Sequence, residues 1–215
     1  MLRISGLPVI SIDLETGGLI PGKHTPLAIG AVVVPGSGPL DKIEGYKVTE
    51  ENSFYIQLEW DTMIIDPRAL RVNRLDIVDP PGSDGGMADR SLPAFEGINL
   101  FEKWLNQHCE TSIHALGMNV GSFDLLMLKS IWDYGMVRQW PFHYRSIDLN
   151  SLVFALSQIQ NKPFETIKRE ITKIAWDNGI FPAEMEHHAL ADAWSNIYIW
   201  KECLRRFKDG YEELL

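Results

Sequence analysis

The sequence predicts an α/β fold: a mixed sheet of three antiparallel N-terminal strands followed by parallel strands, flanked by helices. The N-terminal part contains apolar runs at 9–12, 27–34 and 54–58, which are short enough to be strands. A turn at 19–26, with Pro21, Gly22 and Pro26, lies between the first two strands, so they are expected to pair antiparallel. Further along the chain, short apolar runs alternate with longer stretches of helical periodicity. This alternation is typical of parallel strands joined by helices.

The size and composition of the chain favour one domain. At 215 residues, with 45% hydrophobic and 23% charged residues, the chain can bury a core of ordinary size. We therefore expect a single domain over residues 1–215. Proline and glycine are concentrated within the stretch at about 76–93. This stretch is expected to be a flexible loop rather than a domain boundary, because candidate functional residues lie on both sides of it.

The charge and the cysteine content limit the function classes. A net charge of −9 argues against a broad, sequence-independent surface for duplex nucleic acid, which needs many lysines and arginines. Cys109 and Cys203 are too few for a disulfide scaffold, so a cytoplasmic location is expected. The N-terminal apolar run soon meets Asp13, so no signal peptide is expected there. No window approaches the ~18 apolar residues of a membrane span, and no membrane partner is expected.

The first predicted strand carries two carboxylates at its end. Val9, Ile10 and Ile12 are β-branched and lead into Asp13 and Glu15. Residues two apart in a strand share a face, so the two carboxylates project together. A divalent cation would relieve their repulsion, because Mg²⁺ and Mn²⁺ prefer hard oxygen ligands. The alternative is a strand that ends in a solvated acidic turn, and the pattern D-x-E alone favours that alternative.

A short helix is predicted after the third strand, with Asp66 as its N-cap and Pro67 at its first helical position. Asn73 follows in the same segment and is either a substrate contact or the polar end of a surface helix, since its amide can donate and accept hydrogen bonds. Between the second and third strands, weaker strand signals surround Tyr46 and Val48.

The second half of the chain is predicted to contain five helices and two further strands. Apolar residues recur at helical spacing in 92–109, 123–134, 149–159, 164–178 and 188–207, and the strands are expected at 113–118 and 142–148. The charged tail from Lys208 is expected to fray.

Asp124 lies in the first turn of the helix that follows the 113–118 strand. Proteins of the α/β class tend to place their sites beyond the carboxyl ends of strands. An alternative is that the charge only stabilises the helix dipole, which would not explain the accompanying Asn119 and Phe123. Asp148 precedes the next helix, and we interpret it as a supporting residue.

His187 and Asp192 lie near the start of the last predicted helix. Five residues correspond to roughly 140° around a helix, so the two side chains would not share a face if both were helical. A functional His187 is therefore expected just before the helix, on a segment free to reach the site. We interpret His188 as a surface or capping residue.

Three of these segments together resemble a known family. The sequences D-L-E-T-G-G at 13–18, N-V-G-S-F-D at 119–124 and H-H-A-L-A-D at 187–192 resemble the three exonuclease motifs of the DEDDh family. RNase T, oligoribonuclease and the proofreading subunit of bacterial DNA polymerase III belong to this family. The motif order and the H-x4-D spacing agree, and the resemblance extends from residue 9 to about 205. It implies an RNase H-like fold.

The resemblance implies a 3′–5′ exonuclease that hydrolyses phosphodiester bonds with two metal ions and releases 5′-mononucleotides. It makes His187 the general base, a role that suits an imidazole near neutral pH. The implied ligands of two Mg²⁺ or Mn²⁺ ions are Asp13, Glu15, Asp124 and Asp192. The implied substrate contacts are Thr16, Gly17, Asn73, which stands where the family often has histidine, Asn119 and Phe123.

The resemblance also implies the partners. The main one is the 3′ end of a single-stranded nucleic acid, with DNA and RNA both open because reading a 2′-OH needs only one or two contacts. A homodimer or a polymerase partner would fit the family. Two alternatives stay open: a catalytically silent exonuclease-like fold that binds nucleic-acid ends or a protein, and an acidic cluster in an unrelated hydrolase. The presence of all five motif residues argues against the first, and the motif order against the second.

Overall fold

The computed structural model describes residues 1–36, 47–83, 89–109, 112–135, 139–177 and 187–212. Within them, seven strands form one sheet in the order β5-β4-β3-β2-β6-β7, and β1 pairs with β2. The strands are β1 (Arg3–Ile4), β2 (Leu7–Thr16), β3 (Pro26–Val33), β4 (Ser53–Glu59), β5 (Ser91–Pro93), β6 (His114–Gly117) and β7 (Ile147–Asp148).

The strand directions confirm the predicted mixed sheet. β2, β3 and β4 are successive antiparallel neighbours. β6 runs parallel to β2, β7 runs parallel to β6, and β5 runs parallel to β4. β2 is central and covered on both faces, with Val9 and Ile10 fully buried, which explains its continuous apolar run.

Helices cover both faces of the sheet in the described part of the chain. α2 and α3 pack on one face, where Ile12 contributes to a core with Phe101. α4, α5 and α6 pack on the other, where Val9 contributes to a core with Ile197. The helices are α1 (Pro67–Asn73), α2 (Ala94–His108), α3 (Asp124–Trp132), α4 (Leu149–Ile159), α5 (Phe164–Asp177) and α6 (Ala189–Glu212).

Aspartates cap two of the described helices, and Asp66 does so as predicted. Asp66 accepts a hydrogen bond from the backbone N–H of Arg68 at 2.9 Å, and Pro67 takes the first helical position of α1. Asp148 caps α4 by accepting from the backbone N–H of Asn150 at 2.8 Å. These bonds satisfy amides that have no partner inside their own helix.

The last helix is longer than the sequence predicts. α6 continues to Glu212, beyond the predicted end of the helix at about 207. Fraying of the charged tail stays a prediction. Arg205 pairs with Asp209 one turn further on, and such pairs stabilise exposed helix ends.

The strand predicted at 142–148 is also shorter than expected. Only Ile147 and Asp148 belong to β7, while Phe142 forms an isolated bridge with Ile113. Between Phe142 and β7, the backbone of Arg145 forms its hydrogen bonds with two imidazole side chains. Its N–H donates to His143 Nδ1 at 3.2 Å and its carbonyl accepts from His114 Nδ1 at 2.9 Å. The Arg145 backbone is therefore not available to a β ladder.

The sequence did not predict β1 or β5, both of which are too short to show an alternating pattern. β5 ends the segment predicted as a loop at about 76–93, and Ser91 Oγ donates to Glu59 at 2.5 Å. At the other end of this segment, Gln57 Nε2 donates to the Asp76 carbonyl at 2.5 Å. Residues 84–88 and the predicted strand signal at Tyr46 lie outside the described residues, and Val48 is not in a strand.

None of the helices in the described ranges has the length and apolar character needed to cross a membrane.

Candidate metal centre

Asp13 and Glu15 lie at the carboxyl end of β2, on the face that α4, α5 and α6 cover. Glu15 is buried and Asp13 is half-buried. The pairing between β2 and β3 shifts register between Glu15 and Thr16. Such bulges bend a strand and re-aim its side chains, often next to functional sites.

α6 brings the third carboxylate because it packs directly on the backbone of β3. Gly30 pairs with Asp13 across the sheet, and a Cβ added at Gly30 would lie 2.1 Å from the carbonyl carbon of Ala189. The first turn of α6 can therefore approach only where β3 has no side chain. Asp192 follows in this turn, and ligand oxygens of Asp13, Glu15 and Asp192 all lie within 4.8 Å of one another.

Gly30 is a residue that the sequence pattern does not single out, because it lies inside an otherwise apolar run. A glycine within a strand often marks the close approach of another backbone, so a signal was present.

Asp124 approaches the end of β2 from the edge that pairs with β6. It lies in the first turn of α3 and is 4% exposed. The pairing of β2 with β6 ends at Ser11 and Leu116, so the next amides on this side of β2 have no strand beside them. Asp124 Oδ1 accepts the hydrogen bond of one of these amides, the N–H of Leu14, at 3.0 Å.

The carboxylates disfavour one another's ionised forms. Burial raises the pKa of Asp13 well above its ordinary value, and the charges of Asp124, Asp192 and Glu15 raise it further. Burial raises the pKa of Glu15 to about 8, with added repulsion from Asp192 and Asp124. Burial also raises the pKa of Asp124 to about 7, although its backbone hydrogen bonds oppose the shift.

This donor set fits divalent cations. Clustered carboxylate oxygens are the ligands that Mg²⁺ and Mn²⁺ prefer, and positive charge would remove the repulsion that keeps these groups protonated. Asp13, Glu15 and Asp192 could hold a metal ion. Asp124 is not part of that group, but it lies close enough for its charge to raise the pKa of Asp13.

We expect the stability of the metal-free protein to fall with rising pH. The folded-state pKa of Glu15 is about 8 against 4.5 ordinarily, so the folded protein binds more protons than the unfolded chain between these values. The stabilising contribution is fully present below pH 4.5 and is lost as the pH rises through about 8. Melting temperatures measured in EDTA at about pH 6 and pH 8 test this. Mn²⁺ should raise the melting temperature more at the higher pH, and equal metal effects at both would contradict the expectation.

His187 lies just before α6, as a functional role requires. It is exposed and has a left-handed backbone with φ of +63°. His188 accepts the backbone N–H of Asp192 at 2.9 Å through its carbonyl, so the capping interpretation holds for its backbone. The interpretation as a surface residue is wrong, because His188 is half-buried and its ring stacks on Tyr55.

A groove of about 570 Å³ lies beside Glu15, and three of the predicted substrate contacts line it: Thr16, Asn73 and Phe123. Asn73 is buried, and its Nδ2 donates to the Thr16 carbonyl at 3.2 Å. Asn73 thus ties the end of α1 to the end of β2. The groove also has an apolar wall that includes the exposed Leu19.

Gly17 and Asn119, the other two predicted substrate contacts, are not among the residues that line the groove. A Cβ on Gly17 would lie 2.8 Å from the Ile64 carbonyl oxygen, so this glycine accommodates the segment before α1. Asn119 Oδ1 accepts from Asn150 Nδ2 at 2.8 Å. Their roles as substrate contacts stay predictions.

Asp148 lies close enough to Asp124 for its negative charge to raise the pKa of that carboxyl. Its own oxygen is engaged in capping α4. This placement agrees with its interpretation as a supporting residue.

No protein-family model matches the sequence, and no curated protein matches it. Solved structures share the fold. A zinc-bound complex of E. coli exonuclease I with single-stranded DNA matches 97% of this chain and 42% of that chain, with a TM-score of 0.65 and 16% identity. A complex of the E. coli enzyme with a dA16 oligonucleotide covers 97% and 43%, with a TM-score of 0.63 and 16% identity.

Exonuclease I from Methylocaldum szegediense matches 95% of this chain and 42% of that chain, with a TM-score of 0.63 and 17% identity. The chain therefore has an RNase H-like α/β fold, which it shares with these structures. It spans less than half the length of these neighbours.

Proposed function

We propose that this protein is a metal-dependent 3′–5′ exonuclease of the DEDDh type that removes 5′-mononucleotides from single-stranded DNA or RNA ends. The observation that carries the proposal is the convergence of Asp13 and Glu15 with Asp192, joined by Asp124 at the neighbouring backbone. These are the four acidic residues of the three motifs, and they come from three separate elements of the fold.

The four carboxylates would hold two Mg²⁺ or Mn²⁺ ions. Bound ions of this kind supply Lewis-acid chemistry, which acidifies water and stabilises charge on the leaving 3′ oxygen. His187 takes a proton from the attacking water as general base. The reaction needs no nucleophilic side chain of the protein.

The groove beside Glu15 is the proposed place for the terminal nucleotide. Its apolar wall suits a base and a sugar, and its polar residues suit hydrogen bonds to them. Thr16, Asn73 and Phe123 are the proposed contacts.

The solved neighbours support a single-stranded substrate, because two of them are complexes of E. coli exonuclease I with single-stranded DNA or an oligonucleotide. The substrate and any homodimer or polymerase partner are proposals for this chain, as is a cytoplasmic location, which its two free cysteines support. Light scattering of the purified protein tests the homodimer.

Digestion of labelled single-stranded DNA, single-stranded RNA and a primer-template, side by side with Mg²⁺ and with Mn²⁺, tests the proposal. We expect metal-dependent shortening of at least one single-stranded substrate, abolished by EDTA. Calorimetric titration with Mn²⁺ on the same sample completes the test. Metal binding without digestion of any substrate would favour the catalytically silent fold instead.

The direction of digestion gives a separate prediction. A 3′ phosphate should slow the reaction, because digestion is expected to begin at a free 3′ end, whereas a 5′ phosphate block should leave the rate unchanged. Gel analysis of the two blocked oligonucleotides measures this. Equal cleavage of circular single-stranded DNA would instead indicate an endonuclease.

A further inference from the structure

A ring contact lies beside the metal centre, outside the proposed ligand set. The ring of Tyr55 on β4 stacks on the imidazole of His188, with centroids 4.3 Å apart and 26° between the planes. Tyr55 is 3% exposed, so its ring is held by the packing of the sheet. His188 lies between His187 and Ala189, the first residue of α6.

The stack belongs to a row of paired residues that begins at the metal centre. Asp13 pairs with Gly30 across β2 and β3, and Gly30 pairs with Tyr55 across β3 and β4. Paired residues lie side by side on one face of a sheet. The start of α6 crosses the middle of this row, where Gly30 has no side chain. Among the described residues, the contacts at the start of α6 include Gly30 against Ala189 and Tyr55 against His188.

We propose that Tyr55 is a positioning residue, which orients His187 for proton transfer through its stack with His188. This inference rests on the proposed function. The left-handed backbone of His187, with φ of +63°, is disfavoured for a residue with a Cβ. Its neighbours must therefore hold it, and the stack holds the next residue along the chain.

The stack can be separated from the metal ligands. Asp192 lies within the first turn of α6, and the adjoining Ala189 and Ala193 are fully buried. The contact of Ala189 with Gly30 fixes this turn independently of the Tyr55 ring. Loss of the ring should therefore disturb His187 and leave the ligand set in place.

The hydroxyl of Tyr55 offers an alternative explanation for any effect of this residue. Burial raises the pKa of Tyr55, and the charges of Glu15 and Asp89 raise it further, so the phenol stays neutral. Tyr55→Phe removes the hydroxyl and keeps the ring. This variant therefore distinguishes a role of the stack from a role of the hydroxyl near Glu15.

The experiment compares Tyr55→Leu, Tyr55→Phe and a matched control with the wild-type protein. Tyr144→Leu is the control, because the Tyr144 ring also lies 4.3 Å from an imidazole, that of His143, but is 81% exposed and lies outside the site. The measurements are kcat and KM on a labelled single-stranded oligonucleotide with Mn²⁺, and Mn²⁺ affinity by calorimetry.

We expect Tyr55→Leu to lower kcat by roughly 10–100-fold, the cost of a misplaced catalytic group. KM and Mn²⁺ affinity should stay within about twofold of the wild type, because substrate and metal binding do not depend on the stack. Tyr55→Phe should keep the kcat of the wild type, and so should Tyr144→Leu.

Several results would overturn the inference. A wild-type kcat in Tyr55→Leu would show that the stack has no role in catalysis. A loss of kcat in Tyr55→Phe as large as that in Tyr55→Leu would assign the effect to the hydroxyl. A joint loss of kcat and Mn²⁺ affinity would show a merely structural role. Should Tyr55→Leu not fold, His188→Leu breaks the same contact from the other side, with the same expectations. A wild-type protein that binds Mn²⁺ but digests nothing would overturn the proposed function itself.

Discussion

Replacing Asp13 by alanine should lower the rate of cleavage by at least about 10³-fold, because the metal centre contributes several kcal/mol of charge stabilisation. The fold should stay intact. Asp13 pairs with Gly30 through its backbone, and its carboxylate faces Glu15 and Asp192 rather than the apolar core. Digestion assays and circular dichroism of the variant measure the two expectations.

The stability of the same variant gives a sharper test. Burial and the charges of Asp124, Asp192 and Glu15 raise the pKa of Asp13, so its ionised form destabilises the metal-free protein. Asp13→Ala should therefore melt at a higher temperature than the wild type in EDTA at about pH 8. Asp61→Ala, at an exposed position, serves as control and should change neither stability nor activity. An unfolded Asp13→Ala variant, or one with wild-type turnover, would contradict the metal role.

Replacing His187 by alanine should lower the rate by roughly 10²–10⁴-fold, the usual contribution of positioned proton transfer. Mn²⁺ affinity should be nearly unchanged, because carboxylates hold the ions. Single-turnover kinetics and calorimetry of the variant separate the two effects.

The adjacent histidine provides the contrast. His188→Phe keeps a ring against Tyr55 and should retain far more activity than His187→Ala. The reverse result, a large loss of activity in His188→Phe and a small loss in His187→Ala, would show that the register assigned to the third motif is wrong.

The elements that carry the acidic residues were predictable because their signals are local. The β-branched run of β2 identifies a buried strand and places Asp13 and Glu15 on one face. The helical pattern after β6 places Asp124 in a first turn, and the spacing between His187 and Asp192 requires the histidine to precede its helix.

The contacts that bring these elements together were not predictable, because they join distant parts of the chain. Gly30 matters through its contact with Ala189, and Tyr55 through its ring contact with His188. No local pattern links such pairs. Asn73 is a further example, since its bond to the Thr16 carbonyl depends on how α1 returns to the end of β2.

Two effects explain where the predicted fold differs from the observed one: some elements are very short, and some side chains take the hydrogen bonds that a strand backbone would otherwise form. β5 has three residues, too few for a periodic pattern. The strand predicted at 142–148 fails because His143 and His114 take the backbone bonds of Arg145. Hydropathy carries no signal for either effect.

We propose that the carboxylate centre hydrolyses phosphodiester bonds at a 3′ end. Mass spectrometry of single-stranded DNA or RNA digested with Mg²⁺, in water enriched in heavy oxygen, tests it most directly. The expected products are 5′-mononucleotides whose phosphate carries one heavy oxygen atom, absent when EDTA is added. Internal fragments, 3′-phosphate products, or no product from protein that binds metal would contradict the claim.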